Sequence, residues 1–309
     1  MEIVAPGIAC VPITFVNAYL LGEPGGPWAV VDTGIPGFAW KIIEAANERF
    51  GRDSRPVAIF LTHGHFDHSG NARRLSDHWN VPVYAHPLEA PYLSGRSGYP
   101  PPDPTVGGAI AMLSRVMPHN GYNLEDRLRT FAKSGTPSSD GAETGPLPGL
   151  DGWRWVFTPG HAPGHVSFFR EADRALVAGD AVATLDMDSY LELAVKQQEV
   201  STAGAPFICD WGQYAASLET LTELEPTVLA CGHGIPMTGE DVAGDLERFS
   251  RHFSPPPHGR YVAEPARTDL RGLDSLPPKP ADPLPWLLGA AAVGVGLALA
   301  VLPRRGSRS

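Results

Sequence analysis

The sequence predicts an α/β layered fold, and three observations carry the prediction. Short apolar runs of β-type composition alternate with segments of helical spacing over residues 1 to about 253. The first runs are separated by a hairpin-like turn, so an antiparallel start precedes the strand–helix–strand alternation. In the second half, three apolar runs end in a Gly-flanked His or Asp, the pattern of a single site assembled at strand ends.

In chain order, Ile8–Phe15, Asn17–Leu21 and Trp28–Val31 read as strands, the last two joined by Gly22-Glu-Pro-Gly-Gly-Pro27. Asp32-Thr33-Gly34 ends a strand, and Phe38–Phe50 has helical spacing, with Trp40, Ile43, Ala46 and Phe50 near one face. Val57–Leu61 is a short strand that runs into His63-Gly-His65-Phe-Asp67-His68. Ala72–Trp79 follows as a helix and Val81–Ala85 as a strand. Residues 94–149 interrupt the alternation with Gly, Ser and Pro around an apolar helix at Val106–Val116. We read this long insertion as a lid, which makes Tyr99, Met112, Met117, His119 and Tyr122 candidate substrate-lining residues. Trp153–Phe157 leads into Thr158-Pro-Gly-His161-Ala-Pro-Gly-His165. Strands Val166–Phe169 and Ala175–Ala178 lead to Gly179-Asp180, and Thr227–Ala230 leads to Cys231-Gly-His233. Asp241–Phe253 is an amphipathic helix with Val242, Leu246 and Phe249 on one stripe.

Three histidines and one aspartate within six residues at a strand end signal a metal site. Alternation puts His63 and His65 on one side of an extended chain, and the turn that follows brings Asp67 and His68 to a neighbouring point. Two adjacent metal positions are the expected result. Imidazole and carboxylate suit Zn²⁺, and iron or manganese would accept the same donors.

The run His63-Gly-His65-Phe-Asp67-His68 resembles the His-x-His-x-Asp-His signature of the metallo-β-lactamase superfamily. The resemblance covers residues 1 to about 253 and implies a four-layer αβ/βα sandwich. By that resemblance His63, His65 and His161 hold one metal, Asp67, His68 and His233 hold the second, and Asp180 bridges them. The first histidine of Thr-Pro-Gly-His is the family's ligand, which leaves His165, like Asp32 of the Val-Asp-Thr-Gly turn, to support the centre from behind. Two divalent ions would then activate a water with Asp67 and Asp180 at the reacting centre. A bridging aspartate disfavours the β-lactam-cleaving branches and is shared by glyoxalase II-like thioesterases, lactonases and tRNA-processing nucleases. The expected activity is therefore hydrolysis of an ester, thioester or lactone in a small-molecule substrate. The resemblance also admits a mononuclear-iron persulfide dioxygenase on the same fold. A non-catalytic binding module would be marked by a missing ligand, and none is missing.

Composition narrows the classes further. A 309-residue chain with 43% hydrophobic and 19% charged residues is an ordinary globular protein. Residues 1–285 hold 21 basic against 34 acidic side chains, a formal −13, and no Lys/Arg cluster, so nucleic acid is not expected as a partner. A homo-oligomer stays open. Cys10, Cys209 and Cys231 are too few and too far apart for a disulfide framework, and a reducing compartment follows. No basic segment followed by an apolar run and a cleavage site opens the chain, so no secretory signal is expected. Residues 254–285 are Pro-rich and read as a semi-extended linker. Trp286–Leu302 contains no charge over 17 residues and reads as a transmembrane helix, with Arg304, Arg305 and Arg308 behind it. The expectation is a cytoplasmic catalytic domain anchored to a membrane by its C-terminal helix.

Overall fold

Successive side chains of a strand point to opposite faces, and the central strands of this chain are apolar on both. Val30 and Ile59 pack into a cluster with helical residues, whereas their neighbours Val31 and Phe60 pack into a second cluster with residues of the other half of the chain. The same division recurs at Leu176 and Val177, and at Leu229 and Ala230. Two sheets therefore share one core and each carries a helical layer outside. The computed structural model describes residues 1–118, 123–133, 143–189 and 198–281.

Among the described residues the first sheet has seven strands in sequence order: β1 (Glu2–Ala5), β2 (Ile8–Ile13), β3 (Val16–Gly22), β4 (Trp28–Val31), β5 (Ile59–Phe60), β6 (Val83–Ala85) and β7 (Leu128–Thr130). β1 to β4 are antiparallel, as the hairpin turn anticipates, and β4 to β7 are parallel. Helices α1 (Ala39–Phe50) and α3 (Ala72–Trp79) cover its outer face through Ile42, Ala46, Leu75 and Trp79. The short α2 (Phe66–Ser69) lies between them in sequence. The second sheet runs β13 (Met237–Thr238), β12 (Val228–Cys231), β11 (Ala175–Gly179), β10 (Val166–Arg170), β9 (Trp153–Phe157), β8 (Thr144–Pro146), with β11 and β12 parallel. Trp211–Glu223 and Asp241–His252 form the helices over it, burying Tyr214, Leu218, Leu221, Val242 and Leu246.

Residues 94–149 do more than form an insertion. β7 and β8 lie inside that stretch and complete one edge of each sheet. Both are three-residue strands beside turn-forming residues, too short to show periodicity. The helix read at Val106–Val116 spans Ala109–Ser114. In the Pro-rich stretch after residue 253, Tyr261 and Ala266 are buried against the second sheet's outer cluster, and Arg267–Asp269 pairs with Gly272–Ser275 as a hairpin.

The expected transmembrane helix requires correction. Among the described residues no helix is long and apolar enough to cross a membrane. The longest, Trp211–Glu223, has 13 residues and reaches only about 20 Å, against about 30 Å of hydrocarbon. Trp286–Leu302 itself lies outside the described residues. The α/β fold stands without a demonstrated span, and the membrane-anchored placement with a cytoplasmic domain loses its basis.

Candidate metal centre

The candidate residues leave the sheets at the ends of strands. Asp32 follows β4, the His63–His68 run follows β5, His161 and His165 lie between β9 and β10, Asp180 follows β11, and His233 follows β12. β4 and β5 run parallel, as do β11 and β12, so their loops leave together, and with the β9–β10 connection five separate loops meet. Gly232 is needed there. A β-carbon on it would run into the Asp180 carboxylate and lie 2.6 Å from His68 Cε1.

Two groups of donors face each other. His63 Nε2 lies 3.0 Å from His65 Nδ1, which lies 3.1 Å from His161 Nε2. Beside this trio, Asp67 Oδ2 lies 3.5 Å from His233 Nε2 and 3.9 Å from His68 Nε2. Asp180 Oδ2 sits between the groups, 3.4 Å from His161 Nε2, 3.2 Å from His68 Nε2 and 3.3 Å from His233 Nε2. The donor atoms of each trio lie within 4.8 Å of one another, close enough to share an ion.

Hydrogen bonds behind the rings fix which nitrogen points inward. Asp32 accepts from His68 Nδ1 at 2.8 Å and from the Thr62 hydroxyl at 2.8 Å. The Thr62 hydroxyl in turn accepts from His63 Nδ1 at 3.0 Å, so one buried carboxylate orients a ring in each trio. The Phe15 carbonyl accepts from His233 Nδ1 at 2.8 Å. His165 uses both nitrogens elsewhere: Nε2 accepts from the Asp180 backbone N–H at 2.9 Å and Nδ1 faces the Thr158 carbonyl at 3.1 Å. It therefore positions Asp180 and turns no lone pair toward the centre, whereas His161 does.

Burial, then the facing imidazoles, hold His63 well below the ordinary range, and burial is the largest cause of the drop of His65 to about 3. His161 is likewise held low by burial against the pull of Asp180. These three rings are neutral, the form that donates a lone pair to a cation. Burial also acts on His68 and His233, yet the carboxylates of Asp180 and Asp67 outweigh it and raise both, with Asp32 adding to His68. Asp180 is pulled well below the carboxylate range against its own burial by those two rings. Among the described residues, His68 Nε2 and Asp180 Oδ1 are buried without a hydrogen bond, as metal-binding atoms are. The residue types, spacing and unsatisfied atoms fit metal binding.

The model of the metallo-beta-lactamase superfamily matches residues 11–233. The chain belongs to that superfamily. It is 38% identical over 253 residues to the "Probable metallo-hydrolase YflN" of Bacillus subtilis (strain 168), covering 81% of this chain and 92% of that one. It is 26% identical to the "Hydroxyacylglutathione hydrolase" of Acidiphilium cryptum (strain JF-5), over 92% of this chain and 91% of that one. Among solved structures, a B3 metallo-beta-lactamase described as the first with an active-site glutamic acid superposes with a TM-score of 0.52 at 20% identity. That match covers 81% of this chain and 86% of the other, and shows a shared fold.

In this member of the superfamily the centre forms the floor of a narrow cleft. Phe15, Phe66, Ile110, Met117, Met187 and Phe207 make its walls, above His65, Asp67, His161, Asp180 and His233. Met117 thus lines the cleft. Tyr99 does not: it is buried behind His65, with ring centroids 4.7 Å apart. His119 and Tyr122 lie outside the described residues, and Met112 is exposed. Three supporting groups escaped the sequence reading: the Phe15 carbonyl, Thr62 and Glu89. A carbonyl has no sequence signal. Glu89 had one, as the lone carboxylate between Asp77 and Asp103 in a largely apolar run. Burial pushes it up to about 7, against the pull of hydrogen bonds from Tyr99, Gly164 and Gly64.

Proposed function

We propose that this metallo-hydrolase uses two divalent metal ions to hydrolyse an ester, thioester or lactone carbonyl that carries an apolar group. The observation that carries the reading is Asp180, one of whose oxygens lies 3.2 to 3.4 Å from inward-facing nitrogens of both trios. A carboxylate so placed belongs between two cations. His63, His65 and His161 would hold one and Asp67, His68 and His233 the other. Bound there, the cations supply Lewis acidity and bring the pKa of a water to about neutrality.

The chain's own groups account for the rest. Asp32 and Thr62 keep His63 and His68 in the tautomer whose Nε2 faces the centre, and the Phe15 carbonyl does the same for His233. Asp67 and Asp180 would compensate the positive charge, and one of them would take the proton of the attacking water and pass it to the oxygen or sulfur that leaves as the acyl bond breaks, giving the acid and the alcohol or thiol. The apolar walls exclude bulk water, orient the acyl or alcohol portion and leave the carbonyl over the floor.

The test is a panel of thioesters, lactones and simple esters of increasing chain length, assayed with the full chain reconstituted with Zn²⁺ and compared with Asp180→Asn. Turnover of carbonyl substrates that rises with chain length, needs metal and falls at least about 100-fold in the variant is expected. One iron per chain with sulfur-dependent O₂ uptake and no hydrolysis would refute the proposal.

A further inference from the structure

Glu89 lies outside both donor trios, yet its carboxylate reaches the loops that carry one of them. It is completely buried at the end of a single helical turn, Pro87–Glu89, that follows β6. Its two oxygens are divided between two loops. Oε2 accepts from the backbone N–H of Gly64 at 2.8 Å and from the Tyr99 hydroxyl. Oε1 accepts from the backbone N–H of Gly164 at 2.7 Å. Gly64 stands between His63 and His65, on the first sheet's side, and Gly164 stands three residues after His161, on the second sheet's side. A β-carbon at Gly164 would lie 2.8 Å from Glu89 Cγ, so the loop approaches as closely as its backbone allows.

Among the described residues the His161 ring has no hydrogen bond from behind. His63 is held through Nδ1 by Thr62, whereas His161 Nδ1 is buried without a hydrogen bond among the described residues. The position of the His161 ring therefore follows its backbone. That loop is tied at its start by Cys209 and Asp210, whose N–H groups donate to the Gly160 carbonyl. Below it, Val166 N–H donates to the Thr62 carbonyl at 2.9 Å and joins the two sheets. Glu89 supplies the tie at the loop's other end. Tyr99, held by the same carboxylate, packs its ring edge-on against His65.

We propose that Glu89 is a positioning residue that sets the His161 loop against the His63–His65 loop and so fixes the first of the two metal positions, with little influence on the second. The inference rests on the two-metal reading above. A glutamine at this position has one oxygen only. Its amide would face the Gly164 N–H with another N–H while the remaining oxygen keeps Gly64 and Tyr99, so the His161 loop is the one released.

The experiment is a Co²⁺ titration of the metal-free full chain, wild type against Glu89→Gln, followed by the visible absorption of the bound ion and by chelator competition, with thermal unfolding recorded alongside. The wild type is expected to take two equivalents. The variant should weaken one of them by about 10- to 100-fold, alter its absorption band, and hold the other as the wild type does. Equal binding of both equivalents in wild type and variant overturns the proposal, and so does an equal weakening of both, which would mark Glu89 as a general structural group. If Glu89→Gln does not fold, Glu89→Asp is one methylene too short to reach both loops and is read by the same criteria. A wild type that takes fewer than two equivalents sinks the two-metal reading, and the assignment of Glu89 with it. That failure shows before any variant is measured.

Discussion

Replacing Asp32 by Asn changes almost nothing in shape and reverses one set of hydrogen bonds. Asp32 is 2% exposed and accepts three: from the Thr62 N–H on Oδ1, and from the Thr62 hydroxyl and His68 Nδ1 on Oδ2, each at 2.8 Å. The backbone N–H cannot turn round, so an asparagine keeps its oxygen there and places its amide nitrogen at the Oδ2 position. That amide donates to His68 Nδ1 and to the Thr62 hydroxyl, and the hydroxyl then donates to His63 Nδ1. Both rings are driven to the tautomer whose Nε2 carries a proton, and that nitrogen cannot bind a cation. Losing such support costs about 10- to 100-fold in metal affinity, about 1.4 to 2.7 kcal/mol per position, and here one ring of each trio is affected. The fold should survive, because Asp32 has φ 57° and asparagine tolerates that left-handed conformation. The assay is Zn²⁺ affinity by competition with a chromophoric chelator on the metal-free full chain, with circular dichroism to establish folding. A folded Asp32→Asn protein that binds two equivalents as tightly as the wild type would refute the tautomer argument.

Three further outcomes follow from the same geometry. Gly232→Ala should give a folded protein whose activity falls by at least about 100-fold, because its methyl occupies space taken by the Asp180 carboxylate and His68; hydrolysis rate and metal content measured together check it. Chelation should lower the unfolding temperature and restoring Zn²⁺ should recover it, by about 2.7 kcal/mol at a free concentration 100 times the dissociation constant; calorimetry across a metal series reads the dependence. Acid should destabilise the metal-free protein in part through His165, which burial lowers to about 3 in the folded chain from 6.5. Between those values the unfolded chain binds the extra proton, so stability is present above 6.5 and lost as pH falls. The loss is about 2 kcal/mol by about pH 5, and urea unfolding should show a shallower acid slope in His165→Gln, which cannot take up that proton.

The sequence by itself singled out the candidate residues of the centre and the elements that carry them. Strand alternation and the His63–His68 spacing are local properties, and so are the apolar runs ending at Asp180 and His233, which is why they could be read in order along the chain. Tertiary structure decided what depends on distant partners. The choice of His161 over His165 came from resemblance alone until the fold gave both His165 nitrogens partners at Thr158 and Asp180. Tyr99, placed by sequence in the cleft, packs behind His65, because the hydroxyl that it brings finds its acceptor in the buried Glu89. The short edge strands Leu128–Thr130 and Thr144–Pro146 exist through pairing with neighbours and had no periodicity of their own to show. A ligand's residue type is written in the chain, but the orientation of its lone pair is set by a hydrogen bond from elsewhere, and only folding brings that partner near.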